Sequence, residues 1–300
     1  MVTSAGRWWP SRFGADDQLG MLNHITDAKR RAAMQLAVKG RLYDLGRVLD
    51  EDVPVFPGRY FRQTLVTTAH HANARSGGGP PHGVGDNDVN WIIETVSGTM
   101  QLGTHLDALS HLQIGDRGYN GWTVADLAEP WGTTRLGAET IPQIVTRAWL
   151  VDVPAARGLD RLSVGDVIGV EDVKRALDGI EPDAGDAVLF HTGWGAHWSD
   201  RDTYLSGEPG PGLELAGWLA DHDVALTGCD TWSYGPVPSE DPARPFEVPQ
   251  MLNVRHGVFV VENLDTGALA ADGVREFVLV LTHPKLRGAT GSWTSPIGLV

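Results

Sequence analysis

The chain has 300 residues, 42% of them hydrophobic and 21% charged, with a formal net charge of −14 at pH 7. This is ordinary globular composition, long enough for one large α/β domain carrying an arm. The acidic balance argues against nucleic acid and anionic membranes as partners.

The opening residues 1–14 hold no apolar core of signal-peptide length, and no later run is long enough to span a membrane. A cytoplasmic protein is therefore expected. Trp8, Trp9 and Phe13 are too apolar for a free tail. Residues 1–40 read as an arm and helix, packed on the body or on a neighbouring subunit, ahead of a domain over 41–300. That arm predicts a homo-oligomer, a dimer or tetramer. Thr26 or Asp27 caps a helix running to about Val38, and Gly40 stops it. Arg41–Leu49 reads as a strand, followed by a proline-fixed turn over 52–58. Residues 70–88 place His70, His71 and His82 around a glycine–proline run. They read as a surface loop with solvated imidazoles rather than a metal site, and as a lid candidate. Trp91–Ser97 reads as a strand.

The run from Gln101 to His111 packs two imidazoles, a carboxylate and a carboxamide into eleven residues. On an extended backbone Gln101, Gly103, His105 and Asp107 share a face. His105 and Asp107 can then reach one ion as nitrogen and oxygen ligands, with Gly103 keeping the face open. A turn after Asp107 brings His111 back over the same point.

Further on, 115–121 reads as a turn and 123–128 as a short helical piece. Arg147–Val153 is a buried strand, Val170–Leu177 a short helix with Glu171 and Asp172 near its positive end, and Ala187–His191 a strand. A helix from Pro211–Gly212 to about Ala220 precedes a strand over 224–227. That strand delivers Gly228, Cys229, Asp230, Thr231 and Trp232. Cys229, the single cysteine, excludes an internal disulfide and a cysteine metal cluster and reads as a small buried filler. Asp230 is a turn or substrate-binding candidate, and Trp232 a candidate wall for an apolar or aromatic substrate. Val248–Arg255 reads as a helix, Gly257–Val261 as a strand with Glu262 at its end, and Phe277–Thr282 as a last strand. Strands and short helices alternating after a strand-rich first half mean α/β with a mixed sheet and flanking helices.

The residues Gly103-Thr104-His105, Asp107 and His111 resemble the H-x-G-T-H-x-D-x-P-x-H signature of the cyclase-like metal hydrolases. That family includes bacterial kynurenine formamidase and isatin hydrolase. Gln101 stands where the signature has its first histidine, and Leu109 where it has proline. His191-Thr192-Gly193-Trp194 is similar to the family's R-T-G-W, and the segment from Arg287 to Ile297 is similar to its closing G-A-x-G-S-P-x-x-P. The resemblance implies a swivelling β/β/α domain and a divalent ion, manganese or zinc. It implies His105 and Asp107 as ligands, Glu262 as a further carboxylate ligand, and His111 as the proton shuttle. Counting back twelve residues from Glu262, where two-metal members have a histidine, lands on Gln250. Gln101 and Gln250 are thus the two altered ligand positions, and one loosely held ion, or a shift from zinc toward manganese or magnesium, is expected. The implied function is hydrolysis of an amide, imide or lactone acyl bond in a small cyclic or aromatic substrate. Two alternatives stay open: a lactonase or ring-closing enzyme on the same Lewis-acid site, and a metal-free member serving as a binding or scaffold protein.

Overall fold

The structure, a computed structural model, describes residues 6–68, 86–89 and 91–300. The histidine-bearing loop expected around His70, His71 and His82 falls outside these residues.

Nine strands form one mixed sheet. Its centre is four parallel strands, Ile144–Asp152, Ala187–His191, Leu226–Cys229 and Phe259–Glu262, in that spatial order. All four are largely buried along their length, as strands covered on both faces are. Antiparallel strands extend both sides. Glu276–Leu281, Ile297–Leu299 and Leu42–Asp44 follow on one, and His105–Asp107 then Gly291–Trp293 on the other. The principal core lies between this sheet and its flanking helices, among them Asp27–Met34, Val170–Ala176 and Leu213–Asp221. The mixed sheet and the central strands agree with the reading of the sequence.

Three expectations are corrected. The first helix keeps its Thr26 cap, whose hydroxyl accepts from the Lys29 N–H, but ends at Met34 rather than Val38. The strand expected over Arg41–Leu49 shrinks to Leu42–Asp44. Beyond it Gly46 passes so close to Ser295 that a Cβ would meet its backbone at 3.0 Å, and the Arg47 N–H donates to Thr104 Oγ1 instead of to a ladder. The helix over 248–255 is an α-helical turn, Glu247–Gln250, continued by a π-helical turn, Met251–His256. Of the two placements open to the arm, the structure shows it packed on its own body. Trp8 Nε1 donates to the Gly118 carbonyl at 3.3 Å, the Ser11 N–H donates to Asn120 Oδ1 at 2.6 Å, and Arg12 pairs with Asp223 at 2.5 Å.

One element stands apart. Phe61–Thr68 and Ile92–Gly98 form a two-stranded antiparallel ribbon of their own. Phe61 anchors its base in a small cluster with Val53, Val55 and Leu102. Further out, Leu65, Ile92, Ile93 and Val96 are exposed, and so are neighbouring Val89 and Trp91.

Candidate metal centre

The site forms on one face of the sheet where three strands meet. His105 lies opposite Glu262 on one neighbour and Trp293 on the other, and Asp107 lies opposite Val260 and Gly291. Residues paired across antiparallel strands share a face, and so do positions two apart. His105, Asp107 and Glu262 therefore converge, with donor atoms all within 4.8 Å of one another. Gly291 leaves the space open. A Cβ there would come within 2.8 Å of Gln101 Nε2. This corrects the role expected of Gly103, which is not part of an extended run. It has φ +56°, and a Cβ on it would strike the Leu49 side chain at 2.0 Å. The chain turns at Gly103, and the strand begins only at His105.

The His105 ring is oriented from behind. Its Nδ1 lies 2.9 Å from the Gly103 carbonyl, which can only accept, so Nδ1 carries the proton. Burial lowers the pKa of His105, against the pull of Asp107, so the ring is neutral and Nε2 presents a lone pair. That Nε2 is 3.3 Å from Glu262 Oε2 and 3.6 Å from Asp107 Oδ1. Donors sharing one small ion at roughly 2.1 Å in tetrahedral arrangement lie about 3.4 Å apart. His105 Nε2 and Asp107 Oδ1 are both buried without a hydrogen-bond partner. Two orphaned polar atoms facing a second carboxylate are costly unless something binds them. A divalent cation fits that need and the mixed N/O donor set.

Burial pushes the Glu262 carboxyl up to about 8, against the opposing fields of His111 and Arg59. Burial also raises Asp107, again opposed by His111, while Glu262 adds to the rise. A ligating carboxylate must lose its proton, so metal binding near neutrality should release one from Glu262. Apparent affinity should climb roughly tenfold per pH unit below about 8 and flatten above it. Calorimetry in buffers of different ionisation enthalpy reads the proton directly. A pH-independent affinity between 6 and 8 would contradict this. In the metal-free protein the sign is opposite. The folded state keeps a proton that the unfolded chain loses, so stability falls as pH rises from the ordinary carboxylate range toward about 8.

A cavity of about 140 Å³ opens over Asp107 and Glu262, walled by Phe56, Arg59, Gln101, His111, Trp232 and Phe246. His111 Nε2 stands 4.0 Å from Asp107 Oδ1. The Trp232 ring packs edge-on against Phe56, with centroids 4.3 Å apart, and its indole N–H donates to the Tyr204 carbonyl. Wholly buried Glu208 accepts the backbone N–H groups of Trp232 and Ser233 and so fixes this wall from behind.

Gln101 joins the cavity, its amide donating to Thr290 Oγ1 at 3.1 Å. Gln250 does not. Its amide donates to the Gln113 carbonyl at 2.7 Å, and the Gln113 amide donates to the carbonyls of Ser110 and His111. Gln250 lines a different cavity, beside Trp8 and Met251, while its neighbour Pro249 faces the site. It is a clamp on the His111 loop, which corrects its reading as a ligand. Of the two readings of Asp230, the structure favours the turn residue and corrects the substrate-binding one. Its carboxylate accepts the N–H groups of Thr192 and Gly193 and the Thr192 hydroxyl, so it closes a turn instead of lining the cavity. Gln101→His should accordingly raise zinc affinity roughly tenfold or more, whereas Gln250→His should leave it unchanged. Zinc titration of both variants decides, and a gain at position 250 would return that residue to the ligand set.

Three contributors went unread in the sequence. Arg59 follows the Pro57–Gly58 turn, and its guanidinium donates to the Gln101 carbonyl at 2.9 Å. Phe246 sits in a polar stretch, and Glu208 is a single acid between Gly207 and Pro209.

No curated protein matches the chain in sequence. A crystal structure described as a novel cyclase superposes with a TM-score of 0.84 at 28% identity, covering 96% of each chain. Isatin hydrolase A from Labrenzia aggregata, bound to benzyl benzoate, has a TM-score of 0.62 at 21% identity, covering 90% of this chain and 98% of its own. A predicted metal-dependent hydrolase from Bacillus stearothermophilus has a TM-score of 0.54 at 17% identity, covering 86% and 97%. These likenesses bear out the expected fold. The profile of the cyclase family matches residues 43–236, well over half of the sequence, and the chain belongs to that family.

Proposed function

We propose that this protein is a metal-dependent hydrolase that cleaves an amide, imide or lactone acyl bond in a small cyclic or aromatic substrate. The observation that carries the reading is the pair of orphaned buried donors, His105 Nε2 and Asp107 Oδ1, facing Glu262 beneath an aromatic-walled cavity. These three residues would hold the ion, manganese or zinc, with Gln101 beside them. Bound there, such an ion would supply polarisation of an acyl carbonyl and a more acidic water. His111 takes the proton of the attacking water and returns it to the leaving nitrogen or oxygen, a task suited to imidazole. Phe56, Trp232 and Phe246 stack on the ring and thin out water around the scissile bond. The same orphaned donors favour a metal enzyme over a metal-free scaffold, since a scaffold has no use for them. The hydrolase and metal-dependent names of the structural relatives point the same way.

The test is elemental analysis of protein purified without chelator, then a screen of cyclic amides, imides and lactones with manganese or zinc restored. Stoichiometric metal with turnover in any of these classes supports the reading. Protein that binds neither ion sinks it.

We also propose that the protein works as a homo-oligomer in the cytoplasm on a small-molecule substrate. Among the described residues no helix is long and apolar enough to cross a membrane. The contact moves from the arm to the two-stranded ribbon. A lone ribbon is marginal in water, and this one exposes Leu65, Ile92, Ile93 and Val96. Ile93→Asp should shift the protein toward monomer in sedimentation, whereas deleting residues 1–14 should not change its mass class. The reverse pattern would put the arm back at the contact.

A further inference from the structure

The cavity over Asp107 and Glu262 is small at about 140 Å³. A second cavity, of about 210 Å³, adjoins it. The two share Ser233, Phe246 and Pro249 as lining, so these residues form the partition. Neither reaches the roughly 300–1,000 Å³ of ordinary small-molecule sites, but joined they do.

Phe246 is the most exposed and least tightly packed part of that partition. Its backbone is left-handed, at φ +57°, which a bulky L residue adopts only when its surroundings hold it there. The residue is 46% exposed, and its ring touches Trp232 only edge-on, at a centroid distance of 6.5 Å. Ser233 and Pro249, by contrast, are buried and fixed, Ser233 by Glu208 and Pro249 within the helix that begins at Glu247.

The chemistry of the outer chamber follows from which polar groups are already engaged. Arg244 pairs with Glu247, Glu240 accepts the Leu213 N–H at 2.8 Å, and Asp241 accepts the Ala243 N–H at 2.9 Å. What remains free to meet a ligand is chiefly Leu213, Pro236 and Val248, beside the Phe246 ring. The three carboxylates against one guanidinium disfavour an anionic group.

We infer that the outer chamber is a subsite for an uncharged apolar substituent on the substrate ring, and that Phe246 is the door between it and the metal centre. The inference rests on the proposed ring-hydrolase reading and narrows it. The favoured substrate is a cyclic amide, imide or lactone bearing an aryl or alkyl arm, not a free carboxylate.

The test compares succinimide with 2-phenylsuccinimide on the metal-loaded protein, by calorimetry. Wild type should bind the phenyl compound roughly tenfold more tightly. Ser239→Trp, which fills the outer chamber from its rim, should erase that preference. Phe246→Ala should enlarge it by removing the door. Equal affinities in wild type, a preference that survives Ser239→Trp, or a preference that Phe246→Ala leaves unchanged or lowers would each overturn the inference. So would failure of both imides to bind. Binding preference needs no turnover, so selective binding of the phenyl imide with no turnover anywhere in the screen of cyclic amides, imides and lactones would sink the hydrolase reading and leave the subsite standing.

Discussion

Asp107→Asn should abolish binding of manganese and zinc and reduce turnover on the order of 10³-fold, while the metal-free variant melts no lower than metal-free wild type at pH 8. The first half follows from ligation. Asp107 and His105 share a strand two residues apart, and the carboxamide is a poorer donor than the carboxylate it replaces. The lost stabilisation of developing charge is several kcal/mol, which sets the rate effect. The second half separates a ligand from a structural acid. Asp107 Oδ1 has no hydrogen-bond partner to lose, and its ionised form is disfavoured by burial and by Glu262. Removing that charge without changing shape costs the metal-free fold nothing. Wild type at a metal concentration of about 100 times Kd gains about 2.7 kcal/mol, on the order of 5 °C in melting temperature. The variant should show no such gain. A metal-free variant that melts well below wild type would make Asp107 a structural residue.

His111→Ala should lower kcat roughly 10²–10⁴-fold and leave metal content and melting temperature as they are. His111 lines the cavity half-buried, 4.0 Å from Asp107. It stands beside the three converging donors without belonging to them. Added imidazole should restore part of the rate lost with the proton shuttle. Loss of bound metal in the variant would instead place His111 among the ligands. Because Gln250 and Gln113 secure the loop that carries His111, Gln250→Ala is expected to reproduce a weaker form of this kinetic defect.

The sequence exposed what was local and periodic. Ala187–His191 was legible to the residue because four apolar positions end at a polar turn, and the short helix over Val170–Ala176 because acids open it and bases close it. His105, Asp107, Glu262 and His111 were legible through the irregular spacing of one motif and a carboxylate at a strand end. What stayed hidden depends on contacts remote in the chain. Gly103 reads as filler in an extended run until Leu49 is seen lying against it. Gln250 fits a count of residues but not a direction, because the π-helical turn after it changes the helical phase. Phe246 and Arg59 carry no periodic signal, since each is placed by a loop.

The strand His105–Asp107 has further significance in the order of synthesis. It is hydrogen-bonded on one side to Phe259–Glu262 and on the other to Gly291–Trp293, partners more than 150 residues downstream. A ribosome-bound chain displaying His105 and Asp107 has neither neighbour to hold them straight and lacks Glu262 altogether. Such distant pairings form late. The three converging donors therefore cannot assemble until residue 262 has emerged, so any ion they hold would be bound after that point.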